Sequence, residues 1–320
     1  VTPPATFSVV VPLFDKAPFL RRTIGSVLRQ TCSPLEVIVV DDGSTDGGAE
    51  TIADLLGEQV RIVRQDNAGP GAARNRGCAE ARGAWIALLD ADDLWLDDHL
   101  ETLAGVIAAF PHAHVVAAAS RRETPGPTDD AKPASRGTGA RPLDFFRDHR
   151  ETVLNAYSVA ILRSAFATTT GFGTARVGED SEFWVRLALD HAFAVSDRAT
   201  AVYVRGNGGI MEQQQARMAR GTPMLRSPMF ETLDRALADP RHAARHPAIR
   251  AYADRIRIEH ARSLVYHGRT ADARDLLAAV SGRRALFWRT LARLPGPALA
   301  SGARFYSALK HRRRSSRRTP

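Results

Sequence analysis

The feature that most restricts this chain lies in its first ninety residues, where short apolar runs rich in Val and Ile each lead into a helical pattern. Two of those runs end in clustered Asp. Runs with no alternating polar face are strands buried on both sides. Strands alternating with helices build an α/β layer structure around a parallel sheet. Residues 7–12 (FSVVVP) read as the first strand and 17–30 as a helix with Phe19, Ile24, Val27 and Leu28 inward. Strands at 36–40, 60–64 and 84–89 follow, with helices at 48–56 and 72–81 and a Gly-rich turn at 67–71. Further on the pattern predicts a helix over 97–110, strands at 114–119 and 157–162, a helix over 179–189 and an edge strand at 200–204. Residues 121–141 lack periodicity and read as a mobile loop.

The whole chain of 320 residues is longer than one compact domain usually is, and its character changes near residue 210. Beyond that point Ala/Arg-rich helical segments are expected at 225–238, 245–267, 270–280, 283–294 and 298–310. The expected organisation is a catalytic α/β domain over 1–210, a helical extension over 211–282 and a basic amphipathic tail over 283–320 whose end is disordered. Cys32 and Cys78 show no metal-ligand spacing, which predicts free buried thiols in a reducing compartment.

Charge placement matters more than the net +9. Eleven of the 44 Lys/Arg fall within 283–320, which holds no Asp or Glu. There Leu286, Phe287, Leu291 and Leu294 recur at helical spacing among Arg283, Arg284, Arg289 and Arg293. Such a segment suits an anionic membrane surface; the alternative is an apolar stripe packed on the first domain. The first 210 residues carry no interleaved aromatic and basic pattern, so no nucleic-acid partner is expected. Residues 1–7 lack the order of a signal peptide and no apolar run approaches the ~18 residues of a membrane span. The expectation is a cytoplasmic protein, peripheral on the inner face of the membrane.

Ligands of open parallel sheets bind beyond the carboxyl ends of the strands, and both acidic clusters, Asp41-Asp42 and Asp90/Asp92/Asp93, stand at such ends. Gathered carboxylates repel one another unless a cation joins them. Mg²⁺ or Mn²⁺ takes one or two carboxylates and completes its shell with water and phosphate oxygens, so a metal-bridged diphosphate is the guest this pattern suits. Each cluster alone also reads as a capped turn. Between them, the turn containing Asn67, Gly69 and Gly71 leads to Arg74, a fixed cation with five donors. Gly178-Glu179-Asp180 reads either as a helix cap or as a carboxylate presented to accept a proton from a hydroxyl.

The series SVVVPLFDK, EVIVVDDGSTD, QDNAGPGAARNRG, GAWIALLDADDLW and GEDSEFWVRL, over residues 6–205, resembles the inverting family 2 glycosyltransferases of the GT-A fold. That resemblance implies a mostly parallel central sheet with a helical C-terminal extension, a nucleotide-sugar donor carried by UDP, and Mg²⁺ or Mn²⁺ as cofactor. It implies that Pro12 and Phe14 border the base and that Asp41 and Asp42 meet it. Asn67, Gly69 and Arg74 would line the nucleotide, Asp90 the ribose, and Asp92 would bind the metal. Asp180 would be the catalytic base, supported by Glu179. The acceptor would be a hydroxyl of a glycan or a lipid-linked sugar in cell-surface polysaccharide assembly. The alternatives are a non-catalytic nucleotide-sugar-binding protein and, behind it, a nucleic-acid-binding protein acting through the basic tail. One departure stands out: residues 203–209 read YVRGNGG, without the His that many relatives have there as a further metal ligand.

Overall fold

The computed structural model describes residues 5–123, 139–148, 154–207, 227–266, 268–280 and 283–291. Val- and Ile-rich runs do become buried strands. β1 (Phe7–Leu13), β2 (Glu36–Asp41), β3 (Val60–Arg64) and β4 (Trp85–Leu88) lie in the order β3-β2-β1-β4, all parallel. Leu13 pairs with Asp41 and Asp41 with Arg64, so the strands end level and their following loops share one rim.

Beyond β4 the sheet changes sense. β5 (Leu94–Trp95), β6 (Val115–Glu123), β7 (Ala140–Leu143), β8 (Val159–Leu162) and β9 (Phe193–Val204) continue it as β4-β8-β6-β9-β5, with β7 also on β9. β8 is antiparallel to both β4 and β6, while β6 and β9 run parallel. The parallel sheet therefore holds for the first half, and the second half is mixed.

Three expectations are corrected here. The strand expected at the edge over 200–204 starts at Phe193 and is interior, flanked by β6 on one side and by β5 and β7 on the other. Its middle, with Asp197 and Arg198 exposed, interrupts the apolar pattern at a bulge and hides the first half from a reading by period. The expected loop over 121–141 is shortened at both ends by β6 and β7, and its centre lies outside the described residues. Residues 49–55 form a tight 3₁₀ turn and not an α-helix.

Helix α1 (Ala17–Leu28) buries Leu20, Thr23, Ile24 and Val27 against the sheet, whereas Leu28 is 36% exposed. At 3.6 residues per turn Leu20, Ile24 and Val27 share one line and Leu28 falls at its margin. α2 (Pro70–Glu80), α3 (His99–Ala109), α4 (Arg163–Ala167) and α5 (Glu179–Asp190) complete this part of the fold, and α6 (Met229–Ala238) follows. Cys78 is buried and Cys32 half-buried, and neither forms a disulfide.

The chain divides into two compact units, Val1–Gly209 with Ser227–Arg235, and Ile210–Arg226 with Ala236–Pro320. In the second unit α7 (His246–Tyr266), α8 (Thr270–Ala278) and α9 (Arg283–Leu291) enclose a core of Ala261, Leu264, Val265, Ala273, Leu277 and Trp288. The start of the basic tail is thus part of a folded unit. Trp288 faces its core, and the Arg289 guanidinium, expected among the outward charges, turns onto the carbonyls of Leu277 and Ala278 at the end of α8. Leu286 and Phe287 stay 62% and 46% exposed. Leu294 and the helix expected over 298–310 lie outside the described residues.

Candidate active site

At the rim, Asp41 closes β2 and its Oδ1 accepts the Ser44 amide at 2.9 Å. Asp42 is buried and fully engaged. Its Oδ1 accepts Gln65 Nε2 at 2.7 Å and the Ala68 amide at 2.9 Å, and its Oδ2 accepts the Gly69 amide at 2.8 Å. The carboxylate therefore shapes the turn that carries Asn67 and Gly69. Pro12 sits near the end of β1 opposite Val40, and Phe14, one residue beyond the strand, is 45% exposed. The β1–α1 loop locks onto the loop after β2: Asp15 Oδ1 accepts the Thr45 amide at 2.8 Å and Asp46 Oδ2 accepts the Ala17 amide at 2.7 Å.

Helix α2 brings Arg74 to the middle of the site. Its first turn lies so close to the chain at Gly173 that a Cβ on Gly71 would sit 2.3 Å from the Gly173 carbonyl oxygen. One turn on, the Asn75 amide pairs with the Phe172 backbone twice, Nδ2 donating to its carbonyl at 2.9 Å and Oδ1 accepting its N–H at 2.7 Å. Arg74 is buried and forked: Nη1 donates to Glu179 Oε1 at 2.8 Å and Nη2 to Asp90 Oδ1 at 2.7 Å. Its guanidinium stands 5.6 Å from the Phe172 ring centroid, and its Nε has no partner among the described residues. Burial alone would weaken this cation, but Asp90, Glu179 and Asp180 outweigh it and hold the group above its ordinary pKa. Burial pushes the Glu179 carboxyl up, with Arg74 opposing.

The second cluster is satisfied differently. Asp90 keeps an exposed edge beside Arg74. Asp92, 14% exposed at its side chain, places Oδ2 2.5 Å from Lys16 Nζ. Asp93 is buried, with Oδ1 accepting the Val204 amide at 2.9 Å and Oδ2 unpartnered among the described residues. The Thr23 hydroxyl reaches the carbonyls of Ala91 and Asp93, both at 2.9 Å, and pins the segment to α1. Burial raises the Asp92 carboxyl against the pull of Lys16; burial and then Asp92 and Asp90 raise Asp93 well above the usual carboxylate range. Among the described residues no three His, Cys, Asp or Glu side chains form a metal site of their own. A divalent ion here needs oxygens from its ligand.

Helix α5 starts after Gly178, whose φ of 79° lies in the left-handed region. Glu179, Asp180 and Glu182 stand in its first turn, where the positive end of the helix favours acids. Asp180 is half-buried and its Oδ1 accepts the Ser181 amide at 2.6 Å. Glu182 accepts the Thr232 hydroxyl of α6 at 2.8 Å and Arg186 Nη2 at 2.9 Å, and Arg186 Nη2 also donates to the Gly171 carbonyl at 2.7 Å.

Arg74 thus joins Asp90 and Glu179, with Asp180 adjacent, while Asp41 and Asp42 organise a separate part of the rim. Several supporting residues carry no sequence signal of their own. Lys16, Asn75 and Arg176, whose Nη2 donates to Asn67 Oδ1 at 3.2 Å, act through partners 76 to 191 positions away. Only the repeated Gly in GPGAARNRG and GFG hints at a close approach.

A family model described as Glycosyl transferase family 2 matches residues 8–167. Similar curated proteins include an uncharacterized glycosyltransferase, alr2836, of Nostoc sp., 40% identical over 102 residues, 31% of this chain and 32% of that protein. The succinoglycan biosynthesis protein ExoW of Rhizobium meliloti is 41% identical over 102 residues, 30% of this chain and 32% of that one. The matched stretch spans about a third of the length of these relatives. Among solved structures, S. aureus TarS 1–349 in complex with UDP-GlcNAc shares the fold at a TM-score of 0.59 and 17% identity, over 95% of this chain and 92% of that one. The mannosyltransferase PcManGT of Pyrobaculum calidifontis, in complex with GDP-Man and Mn²⁺, does so at 0.58 and 20% identity, over 97% and 85%.

Proposed function

The chain belongs to glycosyl transferase family 2, and from that premise we propose that it transfers a sugar, with inversion, from a nucleotide-diphosphate sugar to a hydroxyl of a glycan or lipid-linked acceptor. UDP is the proposed carrier and cell-surface polysaccharide assembly the proposed setting, in keeping with the similarity to ExoW. The observation that carries this reading is the Arg74 fork, which holds Asp90 and Glu179 on one guanidinium with Asp180 next in the chain. A preorganised cation facing carboxylates suits a reaction in which negative charge builds on a departing diphosphate.

Asp180 is the proposed base. Glu179 is buried and bound to Arg74, so its proton uptake would break an ion pair. Asp180 spends one oxygen on the Ser181 amide and is half-buried, leaving its other oxygen for an acceptor hydroxyl. That hydroxyl attacks the anomeric carbon as its proton passes to Asp180 and the bond to the diphosphate breaks. Arg74 keeps its charge throughout.

Asp92 suits Mg²⁺ or Mn²⁺, hard ions that bind one or two carboxylates and fill their shell from phosphate and water, while Asp90 is the proposed partner of the ribose. Asp93, bound through Oδ1 to the Val204 amide, anchors the segment that carries them. When bound, the ion neutralises charge on the leaving diphosphate. Asp180→Asn is expected to leave calorimetric donor affinity nearly unchanged and to cut nucleoside diphosphate release by about two orders of magnitude or more. Activity within threefold of the parent would remove Asp180 from this role.

A contact of 283–320 with an anionic membrane surface is supported by exposed Leu286 and Phe287 and by the basic residues of the segment other than Arg289. No helix among the described residues is long and apolar enough to cross a membrane. Deleting the whole segment would remove Trp288 from the core of the second unit, at a cost of about 3–5 kcal/mol. The cleaner test removes 292–320 and changes Leu286 and Phe287 to Glu. Sedimentation with phosphatidylserine vesicles should be lost, and undiminished sedimentation would refute the contact.

A further inference from the structure

Lys16 is the wrong residue for its helix. It occupies the N-cap of α1, its carbonyl accepting the amides of Phe19 and Leu20, and α1 has no acid in its first turn. A cation there opposes the positive end of the helix dipole. The backbone around it is also costly: Asp15, with φ of 48°, is the one non-glycine residue with positive φ among those described. Interlocking bonds hold the strained turn, Asp15 Oδ1 on the Thr45 amide at 2.8 Å and Asp46 Oδ2 on the Ala17 amide at 2.7 Å. This turn directs the ammonium 2.5 Å from Asp92 Oδ2 and 3.4 Å from the Asn207 carbonyl oxygen. Asn207 lies in the stretch where the His of many relatives is absent. The ammonium thus bridges the proposed metal ligand and the backbone at Asn207.

We propose that Lys16 is a resident cation that competes with the divalent ion for Asp92, so that the ion is taken up together with a diphosphate and not ahead of it. This rests on the reading of Asp92 as metal ligand. One oxygen of Asp92 cannot coordinate fully while it shares the ammonium, and a bound diphosphate supplies Lys16 with a replacement anion. The ion then meets a freed carboxylate and phosphate oxygens at once. Without nucleotide it meets a site already neutralised.

The test is Mn²⁺ titration followed by electron paramagnetic resonance on the full chain, with and without UDP. Lys16→Met and Lys16→Gln should bind Mn²⁺ about tenfold more tightly than the parent without UDP, as removal of a charge near the ligand predicts. Lys16→Arg should stay at the parent's weak affinity, which separates charge from structure. With UDP present the advantage of Lys16→Met should shrink or reverse. Circular dichroism melting identifies any variant that fails to fold, and either neutral variant suffices for the comparison. Equal or weaker Mn²⁺ binding by a folded neutral variant without UDP overturns the proposal. Asp92→Asn keeps the two readings apart: if it leaves the parent's Mn²⁺ binding in the presence of UDP unchanged, the metal assignment of Asp92 fails instead.

Discussion

The two acidic clusters are similar in sequence and opposite in construction. Asp41 and Asp42, after β2, take mainly neutral donors of nearby chain, Ser44, Gln65, Ala68 and Gly69, with the exposed Arg64 3.8 Å from Asp41 Oδ2. Asp90 and Asp92, after β4, face the cationic side chains of Arg74 and Lys16 instead. Backbone amides cannot leave, so the first cluster fixes a shape. Side-chain cations can turn away, so the second is where exchange for a ligand is physically open. Carboxylate count alone does not identify a site; the nature of the partner does.

The largest expected effect tests the exchangeable side. Arg74→Met leaves Asp90 and Glu179 facing each other without their cation, and should lower turnover by about 10²–10³, the usual scale for losing a preorganised charge-stabilising group. It should also cost about 3–5 kcal/mol of stability, because breaking a buried pair strands its partner. Arg74→Lys should not restore the rate, since one ammonium cannot fork to two carboxylates in plane. Steady-state kinetics and urea unfolding read both. Parent-like turnover in a folded Arg74→Met would break the comparison.

Asp42→Asn tests the fixed side. The amide keeps one acceptor oxygen where three donors now converge, and should lose about 1–3 kcal/mol of unfolding free energy while leaving Mn²⁺ affinity unchanged. A change in Mn²⁺ binding larger than that of Asp92→Asn would invert the assignment of roles.

Acid sensitivity should also belong to the second side. His99, which opens α3 after β5, is stacked on Trp95 at 4.4 Å and shares a 2.8 Å hydrogen bond with Thr200 Oγ1. Burial lowers its pKa to about 3. The unfolded chain therefore takes up this proton first as pH falls below ~6.5, and the stability it contributes is lost between there and about 3, by at most ~1.4 kcal/mol per pH unit. His99→Gln should show a shallower decline of unfolding free energy over that range. Equal slopes would show that another group dominates.

The smallest effect concerns the thiols. Burial raises the pKa of Cys78, and burial followed by Glu101 raises that of Cys32. Cys32 should react slowly with a thiol reagent in the folded protein and Cys78 only on unfolding. Rapid modification of both would show that α2 opens readily beneath Arg74.

Much of the first half of the fold was legible because β1, β2 and β4 are buried on both faces and write nearly unbroken apolar runs, while β3, VRIVR at the edge, still shows its β-branched residues. β9 was half hidden by its exposed Asp197-Arg198 bulge, and the two-residue β5 is too short for any period. In the site, clustered acids and a Gly-rich turn named Asp41, Asp90, Asp92 and Arg74 as a group. The sequence did not say that Asp42 shapes a turn, nor that Lys16 sits on Asp92. Those facts depend on which loops meet, and single residues carry no mark of a distant partner. The Arg289 contacts on α8 escaped for the same reason: an Arg in a basic stretch looks solvated whatever its head group touches.

The Asp93 bond to the Val204 amide spans 111 positions, and β5 pairs with β9 across a similar distance. On the ribosome, β1 to β4 can pair with one another once residue 88 has emerged, yet the second cluster lacks its anchor until residue 204 follows. At about 5–20 residues per second of synthesis, that interval lasts several seconds or more. A nascent chain would own the rigid turn around Asp42 well before it owned the second cluster, so competence for the proposed metal would arrive late in the protein's own making.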